Sequence, residues 1–535
     1  MTSISKNTDL NTVEGLLGRL EQLNDIGVAL SQERDITRLL EYILMAAKGI
    51  TRADGGTIYS KVVGSDSLRF EILRTDSLHI AMGGSANQPI NFSDLPLLNA
   101  DGEPNDSLVA AYAAIHAVTV NIEDAYSEPN FDFSGTRKFD QNTGYRSKSF
   151  LTVPMCNQDG DVIGVLQLLN ALKPGTDEVT TFSKADQQLV ESLASQAAIA
   201  LSNRLLMKQL EDLFESFISL INLAIDEKSP YTGGHCQRVP ELTMMLAEAV
   251  NATTEGPLAD FKLTDKDRYE LRIASLMHDC GKVTTPVHVV DKATKLETIF
   301  DRLELVKTRF EVLKRDACIK MLEQKLADPA NSAVFEAAYQ AEINQLEDDL
   351  AFIKKANTGG EFMIQADKER IFAIAQGSWQ LSGEILPALS KNEVDNLIIE
   401  RGTLNDEERN KINHHIVATI AMLNKIKFPK HLKRVPEYAG GHHEKMDGKG
   451  YPNGLTREQM TIQARVMAIA DIFEALTAVD RPYKSGKTIS QALFILKKMK
   501  EDQHIDPDLY DAFIEQKVYL QYARKFLSAD QIDVD

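Results

Sequence analysis

The sequence predicts a multidomain chain: an α/β unit, a long connecting helix, and a mostly helical half that carries a helical insertion. Three observations predict it. Short β-rich runs alternate with turns and helical pieces from Gly55 to about Lys173. No glycine or proline occurs between Gly175 and Pro230. From Ser229 onward the apolar residues recur with helical spacing. At 535 residues the chain is also longer than one hydrophobic core usually supports.

Residues 1–12 form a polar tail, and residues 13–31 (VEGLLGRLEQLNDIGVALS) an amphipathic helix. The clearest strand candidates are TIYSKV, LRFEIL, VTVNI, SFLTVPM and VIGVLQLLN. Asn157-Gln158-Asp159-Gly160 separates the last two, which makes them a hairpin by turn chemistry. The long helix bears a stripe with alternating spacings of four and three: Leu189, Leu193, Gln196, Ala200, Asn203, Met207, Leu210, Phe214, Phe217, Ile221 and Ala224. Such a heptad pattern is either the seam of a parallel homodimer or a face packed on the chain's own domains. The length of the seam favours the dimer. Residues of about 293–400 read as an insertion: two helical runs separated by ADPANS, then a less charged tail with the only tryptophan, Trp379.

Composition bounds the function. With 43% apolar and 26% charged residues the chain is an ordinary globular one. A net charge of −19 argues against broad electrostatic binding to DNA or to an anionic membrane. No stretch approaches the roughly 20 apolar residues that span a bilayer, and the polar amino terminus does not read as a secretion signal. Cys156, Cys236, Cys280 and Cys318 form no CxxC pair, so neither disulfides nor a structural zinc site is expected. The expected location is cytoplasmic.

The chemistry sits in clusters of histidine and carboxylate. His235 lies in YTGGHCQRV, His278 and Asp279 in LMHDCGK, His414 and His415 in INHHIVATIAML, His442 and His443 in HHEKMDGKGYP, and Asp471 in MAIADIFEAL. Imidazole with carboxylate suits first-row metals such as iron or manganese. A carboxylate can bridge two metals while its neighbouring imidazole caps one, and two metals can activate water and neutralise a phosphoryl group. A lone His-Asp pair is usually accidental, so the weight rests on the ordered set.

That set resembles the HD-GYP branch of the HD phosphohydrolases. The resemblance rests on His278-Asp279-x-Gly281-Lys282, His442-His443-Glu444-x-x-Asp447-Gly448-x-Gly450-Tyr451-Pro452, Ala470-Asp471-x-Phe473-x-Ala475-Leu476-Thr477 and Arg481-Pro482-Tyr483-Lys484. It covers roughly residues 217–300 and 400–500. It implies an all-α catalytic domain, here 229–535, that binds divalent iron or manganese and cuts cyclic di-GMP or the mixed cyclic GMP-AMP. Carried over residue by residue, the metal ligands are His235, His278, Asp279, His415, His442, His443 and Asp471. His415 is chosen over His414 because Thr419 and Leu423 follow it at the family's spacing. Trimetal members place a glutamate where Tyr231 stands here, so two metals are expected. Asp279 and His415 are 136 positions apart (415 − 279), far more than in the family, and the insertion is expected to loop out and leave the site intact.

The resemblance also implies roles. Asp279 would bridge the metals, Lys282 would meet a phosphate oxygen, and Tyr451, Arg481 and Lys484 would border the substrate. Glu444 and Asp447 would orient metal-bound histidines. Water activated between the metals would attack phosphorus in line with the departing 3′-oxygen. The product would be a linear dinucleotide, mononucleotides, or both. Other phosphodiester substrates, or a non-catalytic receptor or partner-binding scaffold, are the alternatives. The GYP loop and the complete ligand set count against them.

Over about residues 13–204 the chain resembles a GAF domain, on the helix at 13–31, the strand order, the hairpin and FSKADQQLVESLASQAAIAL. This implies a sensor domain, 13–182, of antiparallel sheet with flanking helices, followed by a signalling helix over 183–228. GAF domains that hold cyclic nucleotides carry a signature that Asn170, Phe182 and Asp186 match, while Ala171 and Gln187 depart from it. Those three residues are the candidate contacts for a small-molecule ligand.

Overall fold

The computed structural model describes residues 13–33, 35–62, 64–86, 88–228, 234–359, 362–479 and 486–534. Two compact units divide the chain between Phe214 and Glu215.

In the first unit α1 (Val13–Gln32) and α2 (Ile36–Thr51) precede an antiparallel sheet of β1 (Ala53–Lys61), β2 (Ser67–Thr75), β3 (Ile80–Gly83), β4 (Leu95–Pro96), β5 (Val120–Ile122), β6 (Phe150–Cys156), β7 (Val162–Leu172) and β8 (Val179–Thr180). Strand order is β3-β2-β1-β7-β6-β5, with β4 on β2 and β8 on β7. The β6–β7 turn closes with Asn157 N–H donating to the Asp161 carbonyl, and Gly160 takes φ +87°. One sheet face packs on α2 through Leu39, Ile43, Leu44 and Ala47. The other packs on α3 (Val109–His116) through Ala110, Ala111 and Ala114, and α4 (Ser134–Thr143) follows β5 in the chain.

Helix α5 (Lys184–Lys228) runs unbroken for 45 residues across the division between units. Its first half corrects the expected seam. Leu189 and Leu193 pack with Val190, Ala197 and Leu201 in the first unit's own core. Gln196 faces α1, where a Cβ on Gly27 would come within 2.4 Å of its side-chain oxygen. A four-three spacing serves helix packing inside a domain as well as a coiled coil. The second half is open, with a stripe of Leu206, Leu210, Leu213, Phe217 and Leu220 at 61, 61, 52, 56 and 59% exposure. It shares Leu210 and Phe217 with the expected seam, whose Met207 and Ile221 are exposed as well. On the opposite side Ile218 and Ile225 are buried and the Asn222 amide donates to the Leu276 carbonyl.

The second unit is built on α6 (His235–Asn251), α7 (Asp265–Met277), a short 3-10 turn Cys280–Thr284 and α8 (Val287–Val290). The insertion follows: α9 (Leu303–Ala327) and α10 (Ser332–Asn357) make the expected helical hairpin, then α11 (Gln365–Ala375), β9 (Ser378–Leu381), β10 (Glu384–Pro387) and α12 (Lys391–Leu397). The β9–β10 hairpin was not expected. Its Ser382-Gly383 turn, both residues at positive φ, is the signal that marks it. The insertion has its own core of Val306, Phe310, Leu350, Ile353, Ile371 and Leu397. Its two ends meet: buried Lys292 donates to Glu408 and Asn396, and Lys295 to the carbonyls of Leu397 and Ile399. The chain then resumes with α13 (Asp406–Leu423), α14 (Val435–Gly440), α15 (Ile462–Thr477), α16 (Ile489–Glu501), α17 (Pro507–Glu515) and α18 (Val518–Phe526).

Burial lowers the Lys295 pKa to about 8, with Asp367 opposing. The unfolded ammonium titrates near 10.4, so between these values the unfolded chain binds the extra proton and stability rises with pH. Replacing Lys295 by methionine should therefore flatten the rise in melting temperature from pH 8 to pH 10. Parallel slopes in the two proteins would refute this.

Candidate metal centre

Helices deliver the site. His278 and Asp279 follow α7, His415 lies within α13, His442 and His443 follow α14, Asp471 lies within α15, and His235 opens α6. All but His443 and Asp471 are buried, and His414 is exposed while His415 is not. Two groups of ligand atoms, His415-His442-His443 and His235-His278-Asp279, each lie within 4.8 Å of one another.

Asp279 joins the groups. Its Oδ1 is 3.2 Å from His415 Nε2, and its Oδ2 is 3.2 Å from His235 Nε2 and 3.3 Å from His278 Nε2. Asp471 Oδ1 lies 3.3 Å from His235 Nε2. Lys282 Nζ sits 2.5 Å from Asp279 Oδ2, and Tyr451 stacks on His443 at 4.8 Å between centroids.

Hydrogen bonds aim the rings. His278, His415 and His442 each put Nδ1 on the carbonyl three residues back (Ser275, Ile412 and Ala439) at 2.7, 2.5 and 2.6 Å, which turns Nε2 inward. His235 has no preceding turn of its own helix, and its Nδ1 meets Glu474 Oε2 at 2.5 Å. Glu474 escaped the sequence reading because nothing local marks one buried glutamate in an apolar helix.

Two buried atoms, Asp279 Oδ1 and His442 Nε2, lack any hydrogen-bond partner. Leaving such atoms orphaned costs free energy unless something else engages them. With neighbouring imidazoles and carboxylates, this donor set fits divalent cations. Burial pushes the His442 and His443 pKa values down, the latter to about 4, and like-charged neighbours add to this for His442. Burial alone would raise the Asp279 pKa, but Lys282 and the histidines hold it well below the carboxylate range. His442 and His443 are therefore neutral and Asp279 ionised at neutral pH, the forms that ligate metal. Against burial, the surrounding carboxylates raise His235 and His278, the latter to about 9, so a cation there must displace protons.

Other sequence candidates take different places. Glu444 does not orient a histidine. It is buried and accepts the backbone N–H groups of Asn453 and Leu455, which ties the Gly450-Tyr451-Pro452 loop down. Asp447 likewise accepts the Lys449 N–H and shapes the same loop. In the first unit the Asn170 amide is spent on the backbone of Arg146, Lys148 and Ser149. Phe182 is in the core, and Asp186 takes the Ser183 N–H and hydroxyl at the start of α5. Structural partners thus replace the ligand contacts read from the sequence for all three. Tyr231, Arg481 and Lys484 lie outside the described residues.

Comparison with known proteins gives the same division. Residues 35–201 match the GAF domain model, and residues 232–346 and 390–509 match HD domain models. The first HD match holds His235, His278 and Asp279, and the second His415, His442, His443 and Asp471. The 3′3′-cGAMP-specific phosphodiesterase 3 of Vibrio cholerae is 36% identical over 137 residues, 25% of this chain and 28% of that protein. A probable cyclic di-GMP phosphodiesterase of the same organism is 34% identical over 143 residues, 25% of this chain and 31% of that protein. A Thermotoga maritima cyclic di-GMP phosphodiesterase is 24% identical over 261 residues, 41% of this chain and 69% of that protein. The matched stretches thus span under a third of the two Vibrio relatives. Among solved structures, the GAF domain of an Acinetobacter phosphoenolpyruvate-protein phosphotransferase is 15% identical with a TM-score of 0.27, covering 36% of this chain and 98% of that one. No helix among the described residues is long and apolar enough to cross a membrane. The chain therefore joins a GAF domain to an HD domain whose metal-ligand candidates stand on both sides of a helical insertion.

Proposed function

We propose that the chain is a metal-dependent phosphodiesterase that opens a cyclic dinucleotide, cyclic di-GMP or 3′,3′-cyclic GMP-AMP, under control of its GAF domain. One observation carries the reading: the two carboxylate oxygens of Asp279 face two separate groups of histidines. The names of the HD relatives supply the substrate class.

His235, His278 and Asp471 would hold one divalent ion, His415, His442 and His443 the other, and Asp279 both. Iron or manganese fits this donor set. Bound there, the pair would acidify water and neutralise charge on the phosphoryl group. Lys282, already directed at the Asp279 edge, would place its ammonium on a non-bridging phosphate oxygen. Tyr451, fixed over His443 by the loop that Glu444 ties down, would border the substrate, and Arg481 and Lys484 would hold its second phosphate or a base. The test is product formation from each dinucleotide by protein purified without air and reconstituted with iron or manganese. Turnover supports the reading. No turnover of either substrate with both ions bound would overturn it.

The exposed stripe on α5 supports a parallel homodimer whose seam is Leu206, Leu210, Leu213, Phe217 and Leu220. Burying several such side chains favours association by roughly 1.5–3 kcal/mol each before entropic costs. Leu213→Glu should dissociate the dimer in sedimentation equilibrium, whereas Phe214→Glu, half-buried on the stripe's flank, should do so less. The reverse order would restore the seam read from the sequence.

A further inference from the structure

Glu474 and Arg238 form a device that the proposed chemistry does not use directly. Glu474 is 1% exposed, and its two oxygens are divided. Oε2 meets His235 Nδ1 at 2.5 Å, and Oε1 accepts from Arg238 Nε at 2.7 Å. Arg238 and His235 share the first turn of α6, while Glu474 lies one turn beyond Asp471 on α15. Thus α15 grips His235 at both ring nitrogens, with Asp471 at Nε2 and Glu474 at Nδ1. Gly234 belongs to the same arrangement: it has φ +87°, and a Cβ there would come within 2.5 Å of Arg238 Nη1.

The two halves of the centre therefore differ at His235, since His278 is aimed by its own backbone at the Ser275 carbonyl. His415 and His442 are aimed by carbonyls of their own chain three residues back, and those carbonyls are fixed by local backbone. His235 is aimed by a carboxylate 239 positions away (474 − 235), which an arginine holds in turn. A ring aimed by a distant side chain loses its direction when that side chain changes, whereas a ring aimed by its own backbone does not.

We propose that Glu474, held by Arg238, is the positioning residue for His235, and that it makes the His235-His278-Asp471 position the labile one of the two metal positions. The inference rests on the reading of this site as a two-metal centre. Glu474→Gln removes the negative charge and sets an amide between an imidazole N–H and a guanidinium, so at least one of the two contacts must break. Metal at this position should bind about 10- to 100-fold more weakly, while the His415-His442-His443 position keeps its ion.

The experiment counts manganese per full-length chain by elemental analysis after dialysis against a weak chelator. Electron paramagnetic resonance of the same samples reports whether the ions are spin-coupled. The unchanged protein should hold two coupled ions. Glu474→Gln should hold one, with the six-line signal of an isolated ion. Arg238→Met, which leaves the carboxylate in place, should fall between them. Melting of the metal-free proteins identifies a variant that fails to fold. If Glu474→Gln does not fold, Arg238→Met decides alone, and its second ion must bind more weakly than in the unchanged protein. Wild-type affinity for both ions in the variants, or loss of both together from a folded variant, would overturn the proposal. Fewer than two ions in the unchanged protein would overturn the two-metal reading and this proposal with it.

Discussion

Asp279→Asn is expected to strip metal from both positions and to lower turnover of a cyclic dinucleotide by at least ~10³-fold, since metal ions contribute several kcal/mol of charge stabilisation. The substitution keeps the size and shape of the side chain and changes three things. It removes the negative charge that Lys282, His278 and His235 surround. It replaces one acceptor oxygen by an NH2 group that cannot ligate. It ends the shared bond, because whichever group keeps the oxygen leaves the other facing a donor. The orphaned Oδ1, directed toward His415 without a hydrogen bond, is the atom whose loss separates this outcome from a general loss of charge. Metal analysis and product formation on the same preparation check it. An asparagine variant that keeps two ions and half its turnover would show that Asp279 does not bridge, and the observation carrying the proposed function would fall with it.

Much of the centre was legible because its residues sit in short motifs. His278-Asp279 and His442-His443 are adjacent in the chain, and α7 and α14 project them into one place. The 136 positions between Asp279 and His415 did not obscure the pattern. Lys292 and Lys295 close the insertion at its root, and the bundle resumes as though uninterrupted. What stayed hidden depends on which groups each side chain meets in the fold. Glu474 has no local signature, and its partners lie on another helix. Glu444 and Asp447 stand beside ligands in sequence, yet their carboxylates turn toward backbone N–H groups of the following loop. A buried acid takes the nearest unsatisfied donors, and proximity along the chain does not say which those are. The first half of the helix seam was misread for a related reason. Leu193 and Leu210 carry the same apolar signal at the same period, but only the fold shows that the first half of α5 is already covered by its own sheet and helices. The β9–β10 hairpin was outweighed by its helical surroundings, although Ser382-Gly383 marked its turn.

Gly281→Ala is the second large effect expected, and it tests how the centre is held together. Gly281 follows Cys280 at the start of the 3-10 turn, two residues after Asp279. A Cβ at this position would lie 2.0 Å from the His415 carbonyl oxygen and 2.5 Å from the Thr419 nitrogen. Both are backbone atoms of α13, so no rotamer change relieves the overlap, and the turn and the helix must move apart. The Gly281 N–H also donates to the Thr419 hydroxyl at 2.9 Å inside a buried contact, and separation would break that bond. Overpacking a tight interior costs about 1–3 kcal/mol, and an unsatisfied buried donor adds a similar amount. The same movement pulls Asp279 away from His415, so the bridge between the two metal positions should open as stability falls. Melting of the metal-free protein should therefore drop, and metal content should drop with it. Gly135→Ala is the control. It lies in α4, where a Cβ meets nothing within 4 Å, and an alanine there should leave both quantities unchanged or raise stability slightly. If Gly281→Ala melts and loads like the unchanged protein, the contact between the His278-Asp279 turn and α13 is not what sets the distance between the two halves of the centre. The insertion root, through Lys292 and Glu408 on the same helix, would then have to set it.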